Sequence, residues 1–256
     1  HRVDRRQRQM CIRDRFLRYA ADSNLKKIVL ECGGKNPAVV FDDAENLDHV
    51  AQHVVNAAFW NAGQNCSATS RLIVHKAIKA PLMEKIEARL RDWKVGDPLD
   101  PNTHIGALID AEHCKKVRSF LNKADQGEGP YVSPVIYNVK NGDAKASDEI
   151  FGPVLSVIEV ASNDEAIVVA NDTDYGLAAS VFTANTRRAI RAARDIRAGT
   201  VTVNCYGEGD IATPFGGYKQ SGFGGRDNGV HAHDQFTELK TIWIDLTDPQ
   251  SGDNVR

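Results

Sequence analysis

The sequence predicts an α/β protein: a mainly parallel sheet with crossover helices, followed by one late strand near its end. Three observations carry that prediction. Short β-branched apolar runs alternate with stretches whose apolar residues recur at helical spacing. The helical stretches are long enough to cross back over a sheet, so successive strands run parallel. Glycines stand where several of these elements should stop. With 256 residues, 42% of them hydrophobic and 26% charged, the chain is able to bury a sizeable core.

The elements follow in order. "KIVLECGG" reads as a strand ended by Gly33 and Gly34, and "PAVVF" (37–41) as another. Leu47, Val50, Ala51, Val54, Val55, Ala58 and Phe59 fall on one helical face, with Gly63 as the C-terminal stop. "RLIVH" (71–75) is a strand. Ile78, Leu82, Ile86, Leu90 and Trp93 mark the next helix, with Pro81 placed near its first turn, where proline is tolerated. "GDPLDPNTHIG" is a loop, and residues 110–124 form a helix that ends before the polar "DQGEG". The second half repeats the logic: strand 154–160, helix "DEAIVVAN", strand 177–183, helix "TRRAIRAARDIRA" closed by Gly199, and strand "TVTVN". Residues 206–229 are glycine-rich and irregular, and "TELKTIWIDL" is the late strand.

A formal net charge of −2 provides no global field to recruit nucleic acid or anionic lipid. No apolar run approaches the roughly 20 residues that span a bilayer, and no signal-peptide pattern opens the chain. The five cysteines are odd in number and form no CxxC, which argues against a disulfide framework or a zinc site. The expectation is a cytoplasmic protein with reduced thiols, no metal, no membrane partner and no nucleic-acid partner. The first fifteen residues stand apart, with six Arg, two Asp and almost no apolar periodicity. A disordered or foreign segment is favoured there over a nucleic-acid-binding arm, and "QMCIRDR" resembles translated junction sequence.

Four stretches carry potential chemistry. Cys66 sits among small polar neighbours in "FWNAGQNCSATSR", just past a helix, and its context leaves nucleophile and packed thiol evenly balanced. Glu31 lies inside an apolar strand, where a carboxylate is either on an exposed edge or a general base of raised pKa. "SDEIFGPV" makes a rigid corner presenting Glu149 and Phe151; it is a turn with a core Phe, or a carboxylate for ribose hydroxyls beside an aromatic edge. "PFGGYKQSGFGGR" fits neither a dinucleotide fingerprint nor a P-loop, and reads as a loop shaping a pocket mouth.

"LECGGKNP", "FWNAGQNCSA", "DEIFGPV" and "PFGGYKQSG", in this order and spacing, resemble the glutamate, cysteine and following signatures of the NAD(P)-dependent aldehyde dehydrogenase superfamily. The stretch from "NCYGEGDIATPFGGYKQSGFGGRD" to "FTELKTIWI" further resembles its γ-glutamyl-γ-aminobutyraldehyde dehydrogenase group. The resemblance runs over about residues 17–246, the C-terminal half of a family member. It implies a cysteine nucleophile at Cys66 and a general base at Glu31. It implies cofactor contacts at Glu149, Phe151, Lys116 and Cys32, with NAD or NADP as cofactor. Phe59, Trp60, Tyr206 and Phe215 align with residues in or beside the substrate tunnel. The implied substrate is a small-molecule aldehyde, with polyamine-derived aminoaldehydes favoured, and the implied assembly a homo-oligomer.

The same resemblance divides the chain. Residues 16–31 would be a remnant of the coenzyme-binding domain, 32–235 the catalytic domain, 236–246 the oligomerisation strand and 247–256 a polar tail. The family's coenzyme-binding half would precede these residues, so the chain is expected to be a truncated and spliced copy with little activity alone. "DQGEG" stands where a longer, strand-bearing segment is expected, and "SGFGGRDNG" carries one residue more than the related pattern. Two other readings stand beside the dehydrogenase: an inactive assembly or binding fragment, and a cofactor-independent thioesterase or esterase using Cys66 and Glu31.

Overall fold

The computed structural model describes residues 5–125, 127–207 and 209–246. The elements in order are helix α1 (Arg5–Ala21), strands β1 (Leu30–Glu31) and β2 (Asn36–Val40), helix α2 (Leu47–Phe59), strand β3 (Thr69–His75), helices α3 (Lys76–Leu90) and α4 (Ala111–Ser119), strand β4 (Val135–Asn138) and helix α5 (Ala144–Ser147). The second half continues with β5 (Val154–Val160), α6 (Asn163–Asn171), β6 (Tyr175–Gly176), β7 (Ala178–Phe182), α7 (Thr186–Asp195), β8 (Thr200–Val203), β9 (Tyr218–Lys219) and β10 (Gly222–Phe223).

Six strands form one sheet in the order β4-β5-β3-β2-β7-β8, every neighbouring pair parallel. Ala38 is registered with Leu72 on one side and Ser180 on the other. A strand's side chains alternate between faces, and a sheet covered on both faces needs apolar residues at every position. That is what the central strands supply. Ala38, Val40, Leu72, Val74, Leu155 and Val157 pack with α2, α3 and α4. Val39, Ile73, Ile158, Val160 and Val181 point the other way, onto α6 and α7. Side-chain caps start the covering helices: Asn46, Asp110, Ser162 and Asn185 accept from the third residue beyond each.

The α/β class and parallel sheet agree with the reading of the sequence. Several local expectations do not. Residues 5–15 are the opening turns of α1, whose "RRQRQM" run holds neither Gly nor Pro to interrupt a helix; helix thus replaces the disordered alternative there, and conformation does not bear on the foreign one. The polar tail 247–256 and residues 1–4 lie outside the described residues. Pro81 sits in the second turn of α3 rather than its first, because His75 caps that helix early by accepting from Ala77 N. The helix expected over 110–124 stops at Ser119 and resumes only as a single 3-10 turn, Lys123–Asp125. Residues 237–246, expected as a strand, form no ladder among the described residues, and Leu239, Ile242, Trp243, Ile244 and Leu246 are exposed.

Candidate active site

The candidate residues gather where the chain enters the central strands: 31–35 lead into β2, 63–68 into β3 and 148–153 into β5. The first of these entries is the axis of the site. β1 pairs antiparallel with β10, Glu31 opposite Gly222, and Cys32 N donates to Ser221 O at 2.8 Å. This pairing draws the glycine-rich loop against Glu31. A Cβ on Gly216 would come within 3.0 Å of Glu31 Oε1 and 2.8 Å of Arg226 Cδ, so a side chain there would crowd the carboxylate. Phe215 and Asp227 exchange two backbone hydrogen bonds, each 2.7 Å, which turns Arg226 and Asp227 toward the same place.

Glu31 keeps an open face to water, yet the protein packed on its other side pushes its pKa up to about 7. Burial is the largest cause, the charge of Asp227 adds to it, and Arg226 opposes both. A carboxyl group of that pKa exists as both acid and base near neutrality, which is what a general base requires.

Next along the axis, Gly33 and Gly34 make close passage possible. A Cβ on Gly33 would meet both carboxylate oxygens of Glu149 at 2.5 Å, and Gly34 N donates to Glu149 Oε1 at 3.1 Å. Glu149 is thereby buried against the axis, while its own carbonyl accepts from Lys116 Nζ at 2.9 Å. Phe151 adopts φ +60, a left-handed conformation uncommon for an aromatic residue. It is held there by His113, whose Nε2 lies 2.7 Å from the Phe151 carbonyl and whose ring meets the phenyl edge-on at 6.0 Å. Cys32 is half-buried, and burial pushes its thiol up, with Arg13 opposing and Glu31 and Glu149 adding.

The axis ends at Asn36, and there it grips the cysteine turn. Asn36 Nδ2 donates to the Cys66 carbonyl at 2.7 Å and to Ala68 O at 3.0 Å, while its Oδ1 accepts from Ala178 N. Cys66 is half-buried between Asn65 and Ser67, and Asn65 Oδ1 accepts from both Ser67 N and Ser67 Oγ. Tyr206 closes over this turn, its phenol 3.4 Å from Asn65 Nδ2 and 3.2 Å from Ser67 Oγ.

The residues expected around the substrate divide. Tyr206 adjoins the cysteine turn, and Phe215 is paired by its backbone with Asp227, whose charge acts on Glu31. Trp60 is largely exposed beside the left-handed Asn61. Phe59 is fully buried and packs edge-on against Trp93 at 6.2 Å. Its place at i+12 on the apolar face of α2 explains this, since the same periodicity that makes the helix amphipathic buries its last turn. Asn65 and Ser67 entered the sequence reading only as small polar neighbours of Cys66, and Asn36, His113, Arg226 and Asp227 escaped it. The Arg-Asp pair inside a glycine-rich loop was the one visible signal among them.

Known proteins resemble this chain in both sequence and fold. The family model described as "Aldehyde dehydrogenase family" matches residues 14–242. The chain is 59% identical over 244 residues to an aminoacetaldehyde dehydrogenase of Pseudomonas aeruginosa, covering 91% of this chain and 49% of that protein. It is 41% identical over 243 residues to an NADP/NAD-dependent aldehyde dehydrogenase of Escherichia coli, covering 90% and 49%. The crystal structure of a γ-glutamyl-γ-aminobutyraldehyde dehydrogenase from Burkholderia cenocepacia superposes with a TM-score of 0.84 at 45% identity, covering 90% of this chain and 50% of that one. The chain thus spans about half the length of the curated relatives it matches.

Proposed function

We propose, from the premise that this chain belongs to the aldehyde dehydrogenase family, that it carries the residues that form and hydrolyse a cysteine thioester during oxidation of an aldehyde to a carboxylic acid. One observation supports this above the others: a single six-residue axis has Glu31 at one end and, at the other, Asn36 holding the backbone of Cys66. A nucleophile and a base on a shared rigid support are what two-step acyl chemistry requires.

The Cys66 thiolate adds to the aldehyde carbon and leaves an oxyanion, which the Cys66 backbone N–H is placed in sequence to stabilise. The hydride that leaves this adduct would pass to a nicotinamide cofactor, which supplies the two-electron acceptor when bound, and a thioester on Cys66 would remain. Glu31 takes a proton from water, the resulting hydroxide attacks the thioester carbonyl, and the C–S bond breaks to release the acid and restore the thiolate. The chemistry of the residues present suits a nicotinamide nucleotide: the Glu149 carboxylate, here buried and accepting from Gly34 N, would accept from ribose hydroxyls on turning outward, with Phe151 two residues further along the chain. Lys116 holds Glu149 through its carbonyl. NAD and NADP both remain in the proposal, and similarity to aminoaldehyde enzymes favours an amino-substituted aldehyde as substrate. Residues 236–246 are proposed to pair with a second copy.

The test is acylation by an activated carboxylic ester, followed by intact-protein mass spectrometry, beside aldehyde oxidation with NAD and with NADP. The acyl group should appear on Cys66, be absent in Cys66→Ala, and persist about 10²–10⁴ times longer in Glu31→Gln. Its hydrolysis should quicken as pH rises through about 7, where Glu31 becomes a base, and lose that dependence in Glu31→Gln. Acylation that ignores Cys66→Ala would sink the reading.

A further inference from the structure

α2 carries two histidines one turn apart, and both are turned to the chain that leaves β8. His49 Nε2 lies 2.8 Å from Asn204 O, and Tyr206 N donates to His53 Nδ1 at 3.1 Å. The rings meet edge-on with centroids 4.3 Å apart. As the chain advances two residues, from 204 to 206, it descends one helical turn, from i to i+4. The start of this descent is fixed on the sheet. Asn204, at φ +56, donates its N–H to Val181 O, and its side-chain amide exchanges two bonds of 3.0 Å with the Thr183 backbone. Its far end is the Tyr206 phenol on Asn65 and Ser67, the residues on either side of Cys66.

We propose that His53 is a positioning residue for the Cys66 thiol: by accepting from Tyr206 N it fixes the phenol that braces the Asn65–Ser67 turn from which the thiol is presented. This rests on the reading of Cys66 as the nucleophile, and adds a support on a helix about one turn and a half from its end. The bond assigns the imidazole its tautomer, with Nδ1 bare and the proton on Nε2. Protonation turns Nδ1 into a donor facing another donor, and the brace is lost. The groups set against His53 are His49 on its own helix, Phe182 of β7 with ring centroids 6.2 Å away, and the uncharged Tyr206 of the loop. Burial, and then the charge of His49, hold the His53 pKa below the ordinary histidine value. A lowered folded-state pKa means that the bond is present above that value and is lost as pH falls through it.

The experiment measures site-resolved alkylation of the thiols by iodoacetamide across pH, using the full chain, His53→Leu, His53→Asn, Tyr206→Phe and the double variant His53→Leu/Tyr206→Phe. His53→Leu should slow Cys66 alkylation about tenfold, since small displacements of a reacting group cost that much or more. His53→Asn should recover most of the rate, because Asn Oδ1 replaces Nδ1 as acceptor, and should lack the low-pH inflection that the unmodified chain shows. The double variant should be no slower than the worse single one, as expected of two links in one path. If Cys66 is not the fastest thiol in the unmodified chain, the proposed function fails first. If it is the fastest, and His53→Leu leaves it within about twofold of that rate, the positioning role is overturned. Should His53→Leu not fold, Tyr206→Phe breaks the same path at the phenol and decides the matter alone.

Discussion

Lys35 is 1% exposed, and its Nζ has no hydrogen-bond partner among the described residues. Burial is the main reason its pKa falls to about 7; Arg71 lowers it further, Glu149 and Asp148 raise it, and Lys116 lowers it. Arg71 is equally buried but differently provided for, since its guanidinium donates to the carbonyls of Lys35, Val169 and Ala170. That contrast makes Lys35 the residue whose replacement should stabilise the fold. Lys35→Met keeps the stem and drops the amine, and should gain about 1–3 kcal/mol at neutral pH, the usual cost of an unsatisfied buried polar group. The sign of the pH effect follows from linkage. The unfolded lysine titrates near 10.4, so between about 7 and 10 the unfolded chain holds more protons and stability should rise with pH. Urea denaturation across that range should show the rise in the unmodified chain and its loss in Lys35→Met. Equal slopes in the two proteins would remove the argument.

At the scale of elements, the junction between α2 and β3 decides whether Cys66 is presented at all. The helix stops at Phe59, a 3-10 turn follows, and Asn61, Ala62 and Gly63 take positive φ in succession. Gly63 sits at φ +67 with its α-carbon against Gly152, where a Cβ would fall 2.3 Å from the Gly152 carbonyl oxygen. Gly63→Ala should therefore cost at least about 1–3 kcal/mol in denaturant unfolding, from conformation and clash together. It should also slow Cys66 alkylation, because the corner that touches Phe151 has to shift. An unchanged midpoint would show that the junction yields more easily than its geometry implies. This junction also marks where sequence reading succeeds and stops. The span of α2 and the stop beyond it were legible, because seven apolar residues recur at helical spacing and a glycine follows. Strand 154–160 was legible for the same local reason. β1, β9 and β10 are two residues each, and their existence depends on a partner some forty to two hundred positions away. Glu31 and Cys66 stood out because a carboxylate in an apolar strand and a thiol among small polar residues are locally odd. Asn36, His53 and Asp227 are ordinary in their own windows, and only the fold brings them to the site.

For the whole molecule, the sheet is sealed on both faces, so remaining apolar surface has to be sought at its margins. It is concentrated in 236–246, where Trp243 is 90% exposed beside Ile242 and Ile244. Isolated exposed apolar residues are normal, but a contiguous run of them marks an interaction surface. The run alternates poorly and carries Glu238, Lys240 and Asp245, so it is suited to a ladder with a partner strand more than to burial in its own core. A net charge of −2 opposes self-association only weakly. Sedimentation velocity at micromolar concentration should show a dimer or larger species, and Trp243→Glu should shift the population toward the monomer while leaving far-UV circular dichroism unchanged. A chain that sediments as a monomer before any substitution would mean that these residues are covered by something other than a second copy.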